Sequence, residues 1–327
     1  MVSYTEILSS NALITTSTTP LRVAVFVGGT SGIGKLTIRA LVATGTPIKI
    51  YLLGRKPSQS RTLPFINELH TLNPKAEIIF TEAEVSLLAD VKRVCSLISS
   101  LESKIGLLFL SAGFAPWGGQ RKETAEGHEV AQALEYYSRM LFILRLLPFL
   151  DSGRVVSVLG GGMETTYFLD MEDWELKKEG NFTIWRARPQ YIGMNTIMLD
   201  RLAKENPNVT FIHSLPGAVD TGNVRRGWDG KSILGWAFIR FIEGVNWLVG
   251  FSGEESGQRH LFQSTSAAFG GRGVPWSGEA GRATAGGLFL VSNKCDCTPN
   301  TKVVDQLRDK GQEKLWEHTM EILGPYL

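Results

Sequence analysis

Residues 22 to 41 constrain this chain more than any other stretch. The apolar run Arg22-Val23-Ala24-Val25-Phe26-Val27 meets the turn Gly28-Gly29-Thr30-Ser31-Gly32-Ile33-Gly34, and a helical pattern begins near Lys35. A buried strand that turns this sharply into a helix aims unpaired N–H groups and the positive end of the helix dipole at one point. That arrangement suits a phosphate. Glycine permits the turn and lets bare backbone approach an anion. Strand–turn–helix at the start predicts an α/β fold, and the chain continues the alternation: strands over 48–53, 76–81, 105–110, 154–159 and 208–214, and helices over about 59–72, 87–103, 124–147 and 191–205. A late helix, a strand over 286–291 and a terminal helix complete the pattern. Residues 1–20 are rich in Ser and Thr and read as an arm laid over the domain.

The spacing Gly28, Gly32, Gly34 differs from the Gly-x-Gly-x-x-Gly fingerprint and resembles the Gly-x-x-x-Gly-x-Gly turn of the short-chain dehydrogenase/reductase family. The resemblance covers roughly residues 21 to 221, and more weakly the remainder. It implies a Rossmann-type doubly wound parallel sheet in three α/β/α layers. Residues 21–327 then form a single domain, with a substrate lid and insertions at about 160–188 and 222–285. It also assigns Gly28, Thr30, Ser31, Gly32, Ile33 and Gly34 to the cofactor's phosphates, Glu84-Val85 to the adenine and Ser111-Ala112-Gly113 to a ribose. Glu84 stands where the family has Asp, and Ser111 where it has Asn. Pro216-Gly217-Ala218-Val219-Asp220-Thr221 is similar to a family motif near the nicotinamide, so Pro216, Gly217, Val219 and Thr221 join the candidate cofactor contacts.

Arg55 ends the second strand, 21 residues after Gly34. Dinucleotide folds place there either an acid for the ribose 2′-hydroxyl or a base for a 2′-phosphate. A base predicts NADP(H).

The family's catalytic pattern is altered. Tyr191 and Asn195 match Tyr-x-x-x-Lys with Asn in place of Lys, so both remain candidates for the catalytic site and the nicotinamide ribose. Leu159 or Gly160 falls where the family has Ser, and Glu135 falls where it has Asn. Without a neighbouring ammonium, Tyr191 is expected near the ordinary phenol value of about 10, about one part in a thousand ionised at pH 7. As a base it would lose roughly 4 kcal/mol of driving force, whereas as a proton donor it starts in the correct state. Reduction is therefore the expected direction. Glu135 and Glu164 are candidate general acids or bases if burial raises either one, with Glu164 otherwise an exposed loop carboxylate.

Three readings of function follow. One is NADP(H)-dependent reduction of a ketone or aldehyde on a bulky apolar metabolite. A second is a redox-silent isomerase, dehydratase or cyclase on the same fold, and a third is an inactive NADP(H)-binding protein. Wording such as Tyr136-Tyr137-Ser138-Arg139 and Asn206-Pro207 resembles divergent fungal members tied to secondary metabolism. A comparable insertion over 165–188 occurs in retinol-dehydrogenase-like members.

Composition bounds the rest. At 327 residues, 43% hydrophobic and 20% charged with a net charge of +2, the chain can bury a large core and has no nucleic-acid character. Cys95, Cys295 and Cys297 supply neither a disulfide framework nor a metal site, which implies a reducing, cytoplasmic setting. The apolar run from Ile233 to Phe251 is read as lid rather than membrane span, because pieces of one domain flank it. Its aromatics and those beside it, Trp228, Trp236, Phe238, Phe241 and Trp247, imply an apolar substrate. The helix over 124–147 is apolar around much of its circumference, and in this family such a helix commonly pairs two subunits.

Overall fold

The computed structural model describes residues 2–16, 21–114, 116, 120–167, 169–219 and 250–327. Seven parallel strands form one sheet: β1 (Val23–Val27), β2 (Ile48–Gly54), β3 (Ala76–Glu82), β4 (Leu107–Leu110), β5 (Arg154–Val158), β6 (Thr210–Ser214) and β7 (Phe289–Val291). Their order is β3-β2-β1-β4-β5-β6-β7, so the chain reverses direction across the sheet between β1 and β4. Carboxyl ends of strands on either side of such a reversal open a crevice, the usual place for a ligand in this architecture.

The two-residue period of each strand divides the core. Val23, Val25 and Val27 of β1 face one apolar cluster with Tyr51, Leu108 and Val155. Ala24 and Phe26 face the other, with Ile50, Leu52 and Phe109. Helices α2 (Gly32–Val42) and α3 (Gln59–Leu72) contribute to the second cluster. Helix α1 (Tyr4–Ala12) joins them there, as does α8 (Gly253–Thr265). The first cluster is covered by α4 (Leu88–Leu101) and α6 (Ser138–Leu146). It is closed by α7 (Ile184–Glu205) and α9 (Thr301–Leu323). With both faces covered, the central strands β1 and β4 are apolar and buried along their whole length, as parallel strands require.

The N-terminal arm is a helix, started by a capping box in which Ser3 and Glu6 bond each other's backbone. Asn11 Nδ2 donates to Gln258 O at 2.9 Å, fastening α1 to α8. The helix expected over 124–147 is shorter and irregular: α5 (Val130–Gln132) widens to a π-helical turn over Ala133–Tyr137 before α6. Helix α7 starts seven residues earlier than the sequence indicated, because Thr183 caps it with its side chain and Pro189 lies inside rather than at its start.

The apolar face that the sequence assigned to a partner subunit is covered by the chain itself. Tyr136 bonds Thr319 at 2.5 Å and Tyr137 bonds His318 at 2.8 Å, both on α9, and all these tyrosine atoms are withdrawn from solvent. A homodimer has to be argued from some other surface. No helix among the described residues is long and apolar enough to cross a membrane, and residues 233–249 lie outside the described residues.

Candidate active site

A cavity of about 740 Å³ runs along the carboxyl ends of the strands, inside the range typical of small-molecule and cofactor sites. One wall is the glycine turn. Gly28 has φ +102°, and a Cβ there would stand 2.6 Å from the backbone nitrogen of Ala112, so only glycine lets the turn lie against β4's end. Helix α2 begins at Gly32 with no side chain capping it, leaving its first N–H groups to the cavity. Thr30, Ser31, Gly32 and Ile33 line the same wall, while Gly34 packs behind it against Gly28 and Ser111.

Beyond β2 the cavity is basic: Arg55, Ser58 and Arg61 line it, with Glu84, Val85 and Ser86 opposite. The middle is Ser111, Ala112 and Gly113. At the far end lie Glu135, Arg139, Arg188, Leu159 and Pro216. Arg61, Arg139 and Arg188 were not legible as site residues. Arg139 follows Glu135 by four residues and so shares its helix face, a signal available in principle. Arg188 sits in a segment without periodicity and gives none.

The structure separates the four candidate catalytic residues. Only Glu135 lines the cavity. Tyr191 is fully buried, and its hydroxyl donates to Glu129 at 2.8 Å, a carboxylate that also caps α5. Burial and the charge of Glu129 push Tyr191 well above the ordinary phenol value, correcting the expectation that it stays near 10. Asn195 is also buried: its Nδ2 donates to the main-chain oxygens of Glu135 and Tyr191 at 2.7 and 2.8 Å, and its Oδ1 accepts from Ser157 at 3.3 Å. It holds α7 against the π-helical turn.

Glu164 is neither exposed nor in the cavity. Its Oε1 accepts from Gly162 N at 2.9 Å and from Thr196 at 2.7 Å, and its Oε2 accepts from Asn300 at 3.2 Å. Those bonds make it a brace for the loop after β5. Gly217 packs on Asn293, and Val219 is a buried bridge partner of Phe251; neither lines the cavity. Thr221, like Trp228, Trp236, Phe238, Phe241 and Trp247, lies outside the described residues.

Arg139 is a fully buried charge at the far end of the site. Its Nη1 donates to Ser157 Oγ at 2.8 Å and Val158 O at 3.0 Å, and its Nη2 to Ala112 O at 2.9 Å. The guanidinium thus ties the end of β4 to the end of β5. Burial holds it down to about 10, partly opposed by Glu135. Arg188 donates to Glu135 Oε1 at 3.3 Å from the solvent side.

A model of the KR domain matches residues 23–130. Among curated proteins, the chain is 37% identical to "Oxidoreductase AN1596" of Emericella nidulans, over 99% of this chain and 98% of that protein. It is 26% identical to "Short-chain dehydrogenase/reductase SAT2" of Stachybotrys chartarum, over 92% of this chain and 91% of that one. Among solved structures, a short-chain dehydrogenase from Sphingobium yanoikuyae in complex with NADPH superposes with a TM-score of 0.52 at 19% identity, covering 74% of this chain and 83% of that one. The glycine turn, the strand order, the crevice at the strand ends and near full-length similarity to a fungal oxidoreductase agree, and the chain belongs to the short-chain dehydrogenase/reductase family of oxidoreductases.

Proposed function

We propose that the protein uses NADP(H) to reduce a ketone or aldehyde on a bulky, apolar secondary metabolite. The observation that carries the cofactor choice is the basic end of the cavity, where Arg55 and Arg61 stand beside Ser58 at the tip of β2. Two guanidiniums match a 2′-phosphate, whereas NAD(H), with its bare 2′-hydroxyl, would leave both without an anion. The uncapped start of α2 suits the pyrophosphate, and Glu84 and Val85 form the wall expected for the adenine. When bound, the reduced nicotinamide supplies the hydride. The protein's share is to hold the dinucleotide at the glycine turn, to place a carbonyl at the end lined by Glu135, Arg188 and Leu159, and to provide a proton there. The aromatic residues between 228 and 247 support an apolar substrate. The NADPH in the Sphingobium yanoikuyae structure agrees with this choice.

Fluorescence titration tests the cofactor. NADPH is expected to bind far more tightly than NADH, and Arg55→Ala or Arg61→Ala to weaken NADPH by about 10- to 100-fold, the loss of one charge-assisted contact, while leaving NADH unchanged. Equal affinity for both nucleotides in the unaltered protein would remove the assignment. Burial of Tyr191 away from the cavity favours the redox-silent reading as the second choice. Tight NADPH binding with no consumption against a panel of bulky ketones and aldehydes would select it.

A further inference from the structure

Resting on the reductase reading, we propose that Glu135, and not Tyr191, gives the proton to the carbonyl oxygen. The tyrosine that ends this family's usual proton path is committed elsewhere, since its hydroxyl donates to Glu129 inside the core. At the end of the cavity away from Arg55 and Arg61, Glu135 is the acid that lines the wall; Glu84 stands at the other end. It lies directly on the turn after β4. A Cβ at Gly113 would meet Glu135 Cγ and Oε1 at 2.7 Å, so the glycine is what admits this carboxyl to the strand end.

The backbone that presents Glu135 is the π-helical turn over Ala133–Tyr137, a distortion that inserts a residue and often marks a functional position. Asn195, in the place of the family's Lys, holds that turn by its bond to Glu135 O. One carboxyl oxygen, Oε1, accepts from Arg188, and Oε2 has no partner among the described residues. An unpartnered oxygen on a buried carboxyl disfavours the anion and shifts the balance toward the protonated form.

The charged and titratable neighbours come from every element packed on it. Arg188 and Tyr191 face it from α7, Arg139 from α6 and Glu129 from the start of α5, while the Phe114 N–H comes from the loop after β4. Burial raises the Glu135 carboxyl above the ordinary carboxylate range, and Glu129 adds to this; Arg188 and Arg139 oppose. The balance favours the protonated carboxyl more than in water, while two guanidiniums stand ready to stabilise the carboxylate that proton loss leaves. That is the pairing a general acid needs.

The step balances. The carbonyl carbon takes a hydride from NADPH, the C=O π pair takes the Glu135 proton as an O–H bond forms and the Glu135 O–H bond breaks, and NADP⁺, alcohol and carboxylate result. Glu135 recovers its proton from water through the cavity.

The test begins with the protein free of nucleotide. Carboxyl resonances of ¹³C-glutamate-labelled protein are followed through a pH titration, with Glu135→Gln identifying the signal by its loss. Glu135 is expected to be protonated at pH 7, and a signal already ionised there overturns the proposal. With NADPH and a carbonyl substrate, turnover is expected to fall on the alkaline side along a limb that matches the Glu135 titration. Glu135→Gln should lose at least 100-fold in kcat with NADPH affinity unchanged, and Tyr191→Phe should stay within about threefold and keep the limb. Unimpaired kcat in Glu135→Gln, or loss confined to Tyr191→Phe, overturns the assignment while the reductase reading stands. NADPH bound but consumed with no carbonyl overturns the reductase reading, and the role in reduction assigned to Glu135 falls with it.

Discussion

Replacing Arg139 with methionine is expected to cost about 2–4 kcal/mol of folding stability and to abolish turnover. The change strands three acceptors, Ser157 Oγ, Val158 O and Ala112 O, at the ends of β4 and β5. Buried acceptors left unpaired cost roughly 1–3 kcal/mol each. Removing the charge recovers part of that, since burial already holds this guanidinium down to about 10. The stranded acceptors win because methionine keeps the apolar stem but offers no donor to any of them. Glu135 also loses one of its two stabilising charges, so the site fails chemically as well as structurally. Urea denaturation of Arg139→Met beside Arg139→Lys measures the first effect, with lysine expected between methionine and the native residue. A loss under 1 kcal/mol for methionine would mean that the strand ends do not depend on this side chain.

Acidification from pH 7 to pH 5 is expected to remove about 4 kcal/mol of stability, about half of it through His213. Thr196 donates its hydroxyl proton to Glu164, so it accepts from His213 Nδ1 at 2.8 Å, while His213 Nε2 accepts from Gly160 N at 3.2 Å. These bonds fix a neutral imidazole with the proton on Nδ1. A second proton would have to displace the Gly160 N–H. Burial pushes His213 down to about 3, and pushes His260, whose Nδ1 donates to Ser256 O at 2.8 Å, down to about 4. Both are bases with folded values below the unfolded value of about 6.5. The unfolded chain binds protons that the native chain refuses, so stability is complete above about pH 6.5 and falls as pH drops toward 4 and 3. His213→Gln, able to keep an acceptor near Gly160, should halve the slope between pH 6.5 and 5. Denaturation midpoints that stay level over that interval would refute the linkage.

Much of the cavity wall around the glycine turn was legible because it depends on local geometry. Gly28, Gly32 and Gly34 are forced by a sharp strand-to-helix turn, Arg55 by the length of one βαβ unit, and Ser111-Ala112-Gly113 by the end of the next strand. Each is read within a few residues of a strand whose period is plain. The catalytic end was not legible in this way. Tyr191 carries the right letter at the right spacing, yet whether its hydroxyl faces a cavity or a buried carboxylate depends on Glu129, 62 residues away. Glu164 looked like a loop carboxylate because its partners Thr196 and Asn300 are far along the chain.

The sequence by itself determined the alternation of strands and helices, the crevice and the basic residue at the end of β2, since short-range periodicity and turn chemistry act before any long-range contact forms. Tertiary structure alone decided that α9, rather than a second subunit, covers Tyr136 and Tyr137, that Arg139 ties two strand ends together, and that Glu135 rather than Tyr191 reaches the cavity. The physical reason is common to all three: burial and the pairing of polar groups are set by which distant segments meet, and one residue type can be a brace or a reagent according to the partner it finds there.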